Sequence, residues 1–139
     1  MQLGATSVNF SKDELDCPHC GENACTQALV DLLERIRARV GKPVHVNSAY
    51  RCAAHNAAVH GAPNSQHLQG KAADIYVSGV SVDALEDIAR LEGARGIGRS
   101  DKGGFVHVDM RAGRTVAKWC YDDQGQQCAY YAPKPMKEA

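Results

Sequence analysis

The most informative segment of this chain reads Ser65-Gln66-His67-Leu68-Gln69-Gly70-Lys71-Ala72-Ala73-Asp74, and a second segment, Phe105-Val106-His107-Val108-Asp109, follows it. Two imidazoles and a carboxylate, from His67, His107 and Asp74, are the ligand set of a catalytic zinc site that keeps one coordination position open. Residues of strand-forming type lie beside the ligands, so a sheet would hold them rigidly. Gly70 permits the close backbone approach that brings His67 near Asp74. The pattern therefore predicts a zinc hydrolase.

Length and composition favour one globular domain. The chain has 139 residues, 44% of them hydrophobic and 23% charged, so we expect a single domain at 1–139 with a core at about 10–111 and a C-terminal hairpin and tail at 112–139. Sixteen basic and sixteen acidic residues give no argument for a nucleic-acid partner. No apolar run approaches the roughly 18 residues of a membrane span. The first residues lack the layout of a secretory signal. We expect a monomer that is made in the cytoplasm and delivered to its substrate by other machinery.

Six cysteines are many for a chain of this size. Cys17-Pro18-His19-Cys20 is a CxxC motif, and Cys25 and Cys52 are available to complete a four-sulfur set for a second, structural zinc. Disulfides or buried thiols are the favoured alternatives, because a second CxxC is missing. Cys120 and Cys128 would pair across the intervening turn in an oxidising compartment.

The hydrophobic periodicity predicts an α+β fold. Apolar residues from Leu29 to Val40 recur at helical spacing, and Gly41 ends that helix. A strand is predicted at 72–77, an antiparallel pair at 94–98 and 104–110, and a closing hairpin at 119–131. A second helix follows Ser81, with an apolar stripe that extends to Leu91. We expect a small antiparallel sheet with helices on one side and the zinc on its other face.

The two segments also resemble a known family. Ser65-x-His67-x-x-Gly70-x-Ala72-x-Asp74, followed by His107-x-Asp109, is similar to the zinc D-Ala-D-Ala carboxypeptidase family of peptidoglycan peptidases, in its small endolysin-like members. The resemblance covers roughly residues 10–111. It implies a fold of the Hedgehog/DD-peptidase type, one catalytic Zn²⁺ and a peptidoglycan stem peptide as substrate. It also implies action at the cell wall or periplasm, with a phage as one source of such a chain.

Position by position, the resemblance makes His67, Asp74 and His107 the zinc ligands. It assigns Arg51 to a substrate carboxylate or to the oxyanion, tasks that suit a planar fork of donors. Ser65 either hydrogen-bonds near the metal or stabilises its own turn. Tyr50 either lines the substrate cleft or belongs to the core.

The general base is left open by the sequence. Many relatives have Glu or Asp three residues before the last histidine, where this chain has Gly104. Asp109 shares the strand face of His107, so it is either the base or a partner that orients a ligand imidazole. Asp101, in the preceding turn, is the second candidate. The missing carboxylate keeps a rival hypothesis open, a catalytically inactive zinc-containing binding domain.

Overall fold

The sheet carries two of the three candidate ligands, Asp74 and His107, and helices cover one of its faces. The computed structural model describes residues 4–59, 65–113 and 116–122. The helices are α1 (Lys12–Leu15), α2 (Gln27–Val40), α3 (Ala53–Ala58) and α4 (Val82–Leu91). The strands are β1 (His45–Ser48), β2 (Ala72–Tyr76), β3 (Gly96–Ser100), β4 (Phe105–Asp109) and β5 (Ala117–Cys120). The α+β class predicted from the sequence is confirmed.

The five strands lie in the order β1-β2-β4-β3-β5. Neighbours pair antiparallel except β3 and β5, which run parallel. The expectation of a purely antiparallel sheet was therefore wrong at this edge. The chain leaves β4, passes the end of β3 where Gly96 pairs with both Asp109 and Ala117, and reverses direction into β5. A strand placed on the far side of β3 in this way must run parallel to it. The second arm of the predicted hairpin lies outside the described residues.

The two faces of the sheet differ in chemistry. Successive side chains of a strand point to opposite faces, and Ala73 and Ile75 of β2 belong to the hydrophobic core with Val106 and Val108 of β4. Helices α2 and α4 supply the rest of that core through Leu29, Leu32, Leu33, Ile36, Leu85 and Ala89. The alternate positions of β2 and β4 carry the polar residues on the opposite face. The hydrophobic core and the candidate ligands Asp74 and His107 therefore lie on opposite faces of the sheet.

Helix α2 has the bounds that its pattern predicts. The Thr26 hydroxyl accepts a hydrogen bond from the Leu29 N–H at 3.3 Å, which caps the N-terminus. Gly41 ends the helix in the left-handed conformation, with φ at 66°. Among the described residues, no helix has the length and apolar character needed to cross a bilayer.

Helix α4 departs from the sequence-based expectation, whereas α3 forms where a short alanine-rich helix is predicted, at 53–59. Leu91, predicted on the buried stripe of α4, is 42% exposed, whereas Glu86 is buried. The Glu86 carboxylate is compensated by Arg99 at 3.3 Å and Lys118 at 3.9 Å. Helix α3 contributes no residue to the hydrophobic core, and its buried residue, Asn56, contacts Arg51 on the polar side of the sheet.

Candidate metal centre

A tight turn before β2 positions His67. The Ser65 hydroxyl accepts the His67 backbone N–H at 3.1 Å, so Ser65 stabilises the turn itself. Gly70 has φ at 70°, and a Cβ there would lie 1.8 Å from the Ala24 carbonyl oxygen. Only glycine fits this close approach without strain. The Gly70 carbonyl in turn accepts the Thr26 N–H at 2.8 Å, which fixes the turn against the start of α2.

His67, Asp74 and His107 meet on the polar face of the sheet. Asp74 of β2 is the register partner of His107 of β4. Oδ1 of Asp74 lies 3.2 Å from His67 Nε2 and 3.2 Å from His107 Nδ1. All three residues are buried. The structure thus brings together three residues that the sequence separates by up to forty positions.

The donor set fits a zinc ion. One ligand atom from each residue lies within 4.8 Å of the others. Zinc bonds of about 2.0–2.1 Å in a tetrahedron put neighbouring ligand atoms about 3.3 Å apart, close to the two separations seen here. The other ring nitrogen of His67, Nδ1, lies 2.7 Å from the Ala49 carbonyl oxygen, which accepts its proton and leaves Nε2 for a metal.

Asp74 is held in its ionised form. Burial alone would raise the pKa of this carboxyl, but the charge of His67 and the hydrogen bond to His107 outweigh burial and hold its pKa well below the ordinary range. Oδ2 also lies 3.4 Å from Arg51 Nη2. An ionised carboxylate is the form that binds a metal.

Asp109 lies behind His107, away from the three ligand atoms. Its Oδ2 is 2.7 Å from His107 Nε2, the nitrogen opposite the one that faces Asp74. Arg111 donates to both carboxylate oxygens, from Nε at 2.9 Å and from Nη2 at 2.7 Å. Burial would raise the pKa of Asp109, but these two partners lower it far more. Asp109 is fully buried, so its oxygens are committed to His107 and Arg111.

The contact with Asp109 also changes the pKa of His107. Burial would lower the pKa of its imidazole, but the hydrogen bonds to Asp109 and Asp74 raise it above the ordinary value. Gly96 of β3 makes room for this arrangement, because a Cβ there would lie 2.3 Å from Oδ2 of Asp109.

Arg51 connects the metal centre to α3. Its Nε donates to the Ser48 hydroxyl at 3.2 Å and its Nη1 to Oδ1 of Asn56 at 3.2 Å, while Nη2 reaches Asp74. Its backbone N–H donates to the His67 carbonyl at 3.2 Å. A guanidinium carries five N–H donors, and these side-chain contacts use three.

The remaining predicted site residues lie elsewhere. Asp101 sits in the β3–β4 turn with 73% of its side chain exposed, and it forms an ion pair with Arg99. Tyr50 packs against the hydrophobic core, and burial raises the pKa of its phenol. In the part of the chain that the structure describes, neither side chain forms a hydrogen bond or ion pair with the three converging ligand residues.

Three further residues lie near the centre, namely Arg111, Trp119 and Tyr121. The sequence assigns them no role or only a tentative one. The Arg111 guanidinium lies 4.8 Å from the Trp119 ring centroid, and that ring is 5.0 Å from the His107 ring. Burial and the negative charge of Asp74 raise the pKa of Tyr121 to about 12, so its hydroxyl stays protonated at neutral pH. The sequence signal for all three was slight, because Arg111 follows the motif, Trp119 belongs to an edge strand paired through a long-range contact, and Tyr121 follows that strand.

The cysteines do not form the four-sulfur set considered from the sequence. The sulfurs of Cys17, Cys20 and Cys52 lie within 4.8 Å of one another. Cys25 lies apart in the hydrophobic core, where burial raises the pKa of its thiol to about 11. Burial would also raise the pKa of Cys17, but backbone N–H donors lower it to about 7. The predicted partner of Cys120, Cys128, is outside the described residues.

The family model described as Peptidase M15 matches residues 8–109. The chain belongs to the Peptidase M15 family. The resemblance to peptidoglycan peptidases inferred from the two motif segments is thereby confirmed.

This M15 chain is similar in sequence to two curated proteins over part of their length. It is 30% identical to the peptidoglycan L,D-endopeptidase MepK of Escherichia coli strain K12 over 93 residues, which are 62% of this chain and 51% of the relative. It is 35% identical to the zinc D-Ala-D-Ala carboxypeptidase of Streptomyces albus G over 101 residues, which are 63% of this chain and 39% of that protein. The chain therefore spans about half or less of the curated relatives that it matches.

Proposed function

We propose that this M15 chain is a zinc-dependent peptidase that hydrolyses amide bonds in the stem peptides of peptidoglycan. The convergence of His67, Asp74 and His107 on one point is the observation that carries the proposal. The activities of its relatives, a peptidoglycan L,D-endopeptidase and a zinc D-Ala-D-Ala carboxypeptidase, support the substrate class. We propose one of two specificities, that of a D-Ala-D-Ala carboxypeptidase or that of an L-Ala-D-Glu endopeptidase.

The three ligand residues would hold the ion, and other side chains would bind the substrate. Zinc in such a site polarises a carbonyl as a Lewis acid and lowers the pKa of a water toward about 7. We assign Arg51 two tasks. Its contact with Oδ2 of Asp74 orients that carboxylate, and its remaining N–H donors are available to a substrate carboxylate or to the developing oxyanion.

Tyr121 is a further donor in this proposal. Its ring lies 6.4 Å from the Trp119 ring, which is itself 5.0 Å from the His107 ring, so Tyr121 borders the metal centre. A phenol that stays protonated at neutral pH donates a hydrogen bond but does not act as a base. We propose that its hydroxyl assists Arg51 in stabilising negative charge on the substrate carbonyl oxygen.

We propose a positioning role for Asp109. Because its oxygens are engaged by His107 and Arg111, it fixes the tautomer and orientation of the His107 ring rather than removing a proton from water. Asp101 remains the proposed base, and it would have to exchange its ion pair with Arg99 for a position over the metal. A bell-shaped pH–rate profile that loses its acidic limb in Asp101→Asn would support that assignment.

A zinc-containing binding domain without peptidase activity is the second candidate. Gly104 stands where many relatives have a carboxylate, and Asp109 is occupied elsewhere. Both features favour a centre that retains the metal but lacks its base. This candidate predicts tight zinc binding with no product from any muropeptide.

Mass spectrometry of purified muropeptides after digestion tests the proposal and names the bond. We expect loss of D-Ala from pentapeptide stems, or release of the stem at L-Ala-D-Glu, in the zinc-loaded protein. His67→Ala and chelator treatment abolish the product. His45→Ala is the matched control, because His45 stacks on Tyr76 at 4.7 Å, outside the ligand set, and leaves activity unchanged. If the zinc-loaded wild type forms no product, the result favours the second candidate, a zinc-containing binding domain without peptidase activity.

A further inference from the structure

A cluster of three thiols lies outside the metal centre described above. Cys17 and Cys20 come from the loop after α1, and Cys52 directly precedes α3. Sγ of Cys17 lies 3.6 Å from Sγ of Cys52, and all three sulfurs fall within 4.8 Å of one another. The proposed peptidase chemistry uses none of them.

The separation between the sulfurs fits a metal better than a disulfide. Zinc–sulfur bonds of about 2.3 Å in a tetrahedron place two sulfurs about 3.8 Å apart, whereas a disulfide requires about 2.05 Å. A Cys17–Cys52 disulfide would also leave Cys20 beside it without a function. A single ion accounts for all three.

The loop has the geometry of a metal-binding turn. The Gly21 N–H donates to the Cys17 carbonyl at 2.8 Å, and Gly21 takes a left-handed conformation with φ at 75°. This tight turn presents Cys17 and Cys20 on the same side. The Cys52 N–H points at Sγ of Cys17, 3.4 Å away, and N–H donors stabilise a thiolate over a thiol.

We propose that Cys17, Cys20 and Cys52 hold a second zinc ion with a structural role, and that His55 is its fourth ligand. The spacing is Cys-x-x-Cys followed by Cys-x-x-His, and Cys₃His is one of the established structural zinc sets. His55 lies on α3 one turn after Cys52, and its ring stacks on His19 of the same cysteine loop with centroids 6.3 Å apart. His55 therefore lies beside the cysteine loop, and its ring would have to turn toward the three sulfurs, whose 4.8 Å group it does not join in this structure.

This ion would join the N-terminal loop to the residue that follows Arg51. Arg51 precedes Cys52 directly, and its guanidinium and backbone contact Asp74 and His67. The Tyr50 N–H also donates to the Leu15 carbonyl at 3.3 Å, so the same two segments already lie side by side. The second zinc would hold Arg51 in place without taking part in the chemistry.

Metal analysis of the purified full chain, prepared with excess zinc and a thiol reductant and then desalted, tests the proposal. We expect two zinc ions per chain in the wild type, one in Cys20→Ala, one in His67→Ala and none in the double variant. Cys20 is exposed, so its truncation leaves the core intact. Cys25→Ala is the matched control, because this cysteine lies outside the cluster, and it retains both ions.

Cobalt substitution separates the two sites independently of activity. We expect sulfur-to-cobalt charge-transfer absorption in the wild type and in His67→Ala, and its loss in Cys20→Ala. His55→Ala weakens retention of the cluster's ion against a competing chelator, whereas His19→Ala leaves it unchanged. If His19→Ala weakens retention of the ion and His55→Ala does not, the assignment of His55 as the fourth ligand is overturned.

The second site is overturned if the wild type holds one zinc per chain, that zinc disappears in His67→Ala, and Cys17, Cys20 and Cys52 all titrate as free thiols. A Cys17–Cys52 disulfide found by peptide mapping under the same reducing conditions does the same. Failure of the proposed peptidase function is a different result, since the zinc count and the cobalt spectrum would still show both ions.

Discussion

His107 donates the hydrogen of its Nε2 to Oδ2 of Asp109 across 2.7 Å, and a single residue separates the two on β4. Alternate side chains of a strand share a face, which makes this pairing geometrically simple. It leaves His107 Nδ1 directed at Asp74, 3.2 Å away. The pair therefore selects which nitrogen of the ring is free for a metal.

Replacing Asp109 by Asn should weaken the metal centre without removing a ligand. Loss of a partner that orients a ligand imidazole typically lowers metal affinity about 10–100-fold. Competition with a chromogenic chelator measures the change. Asp101→Asn is the matched control, because Asp101 lies exposed in a turn and should leave zinc affinity unchanged. Equal effects of the two substitutions would contradict the positioning role of Asp109.

The same carboxylate should make the zinc-free protein sensitive to acid. The pKa of Asp109 is lowered on folding by His107 and Arg111, so its contribution is complete above the unfolded-state pKa of about 3.9 and is lost as the pH falls through and below that value. We expect the difference in free energy of unfolding between wild type and Asp109→Asn to be large at about pH 5 and to shrink by about pH 3. Urea titrations with chelator measure it. A difference independent of pH would exclude this linkage.

Arg51→Lys should lower activity while zinc content is retained. Lysine keeps the positive charge but lacks the planar fork, so it cannot contact Ser48, Asn56 and Asp74 together. Loss of one oxyanion donor typically lowers kcat about 10²-fold or more. Steady-state kinetics and metal analysis on the same sample check both statements. Arg35→Lys, on α2, is the control and should behave as wild type.

Gly70→Ala should destabilise the fold more than a matched glycine substitution. Alanine in a left-handed conformation costs about 1–2 kcal/mol, and this is the expected effect of Gly41→Ala, where a Cβ would meet open space. At Gly70 the Cβ would overlap the Ala24 carbonyl, which adds roughly 1–3 kcal/mol. Urea unfolding of both variants measures the difference. Equal losses would show that the turn relaxes.

The sequence predicted those features that depend on local rules. The Leu29-to-Val40 periodicity with Gly41 gave the correct helix, and the alternation in Ala73-Asp74-Ile75 gave the correct faces of β2. The ten-residue motif supplied two of the three side chains that converge, His67 and Asp74, and the later segment supplied His107. Their roles as ligands stay a prediction until a metal is measured.

Long-range choices were not readable from the sequence. The parallel partner of β5 depends on a connection that passes the end of β3, and no local pattern encodes that path. The orientation of Asp109 depends on Arg111, a residue that carries no motif. Cys25 belongs to the hydrophobic core and Cys17 does not, a tertiary difference that no local pattern encodes.

Beside the candidate ligands, β3 presents Gly96 and Gly98, where a Cβ would meet the Asp109 carboxylate at 2.3 Å and the Trp119 indole nitrogen at 2.3 Å. The two glycines of this strand therefore leave room for the Asp109 carboxylate and the Trp119 indole to pack against its backbone. Suppose that a designer grafts two histidines and an aspartate onto another sheet but keeps residues larger than glycine on the adjoining strand. The side chains that support the metal ligands would then be excluded, and the ligands would be held loosely. Vacant space is as much a component of this centre as the donor atoms are.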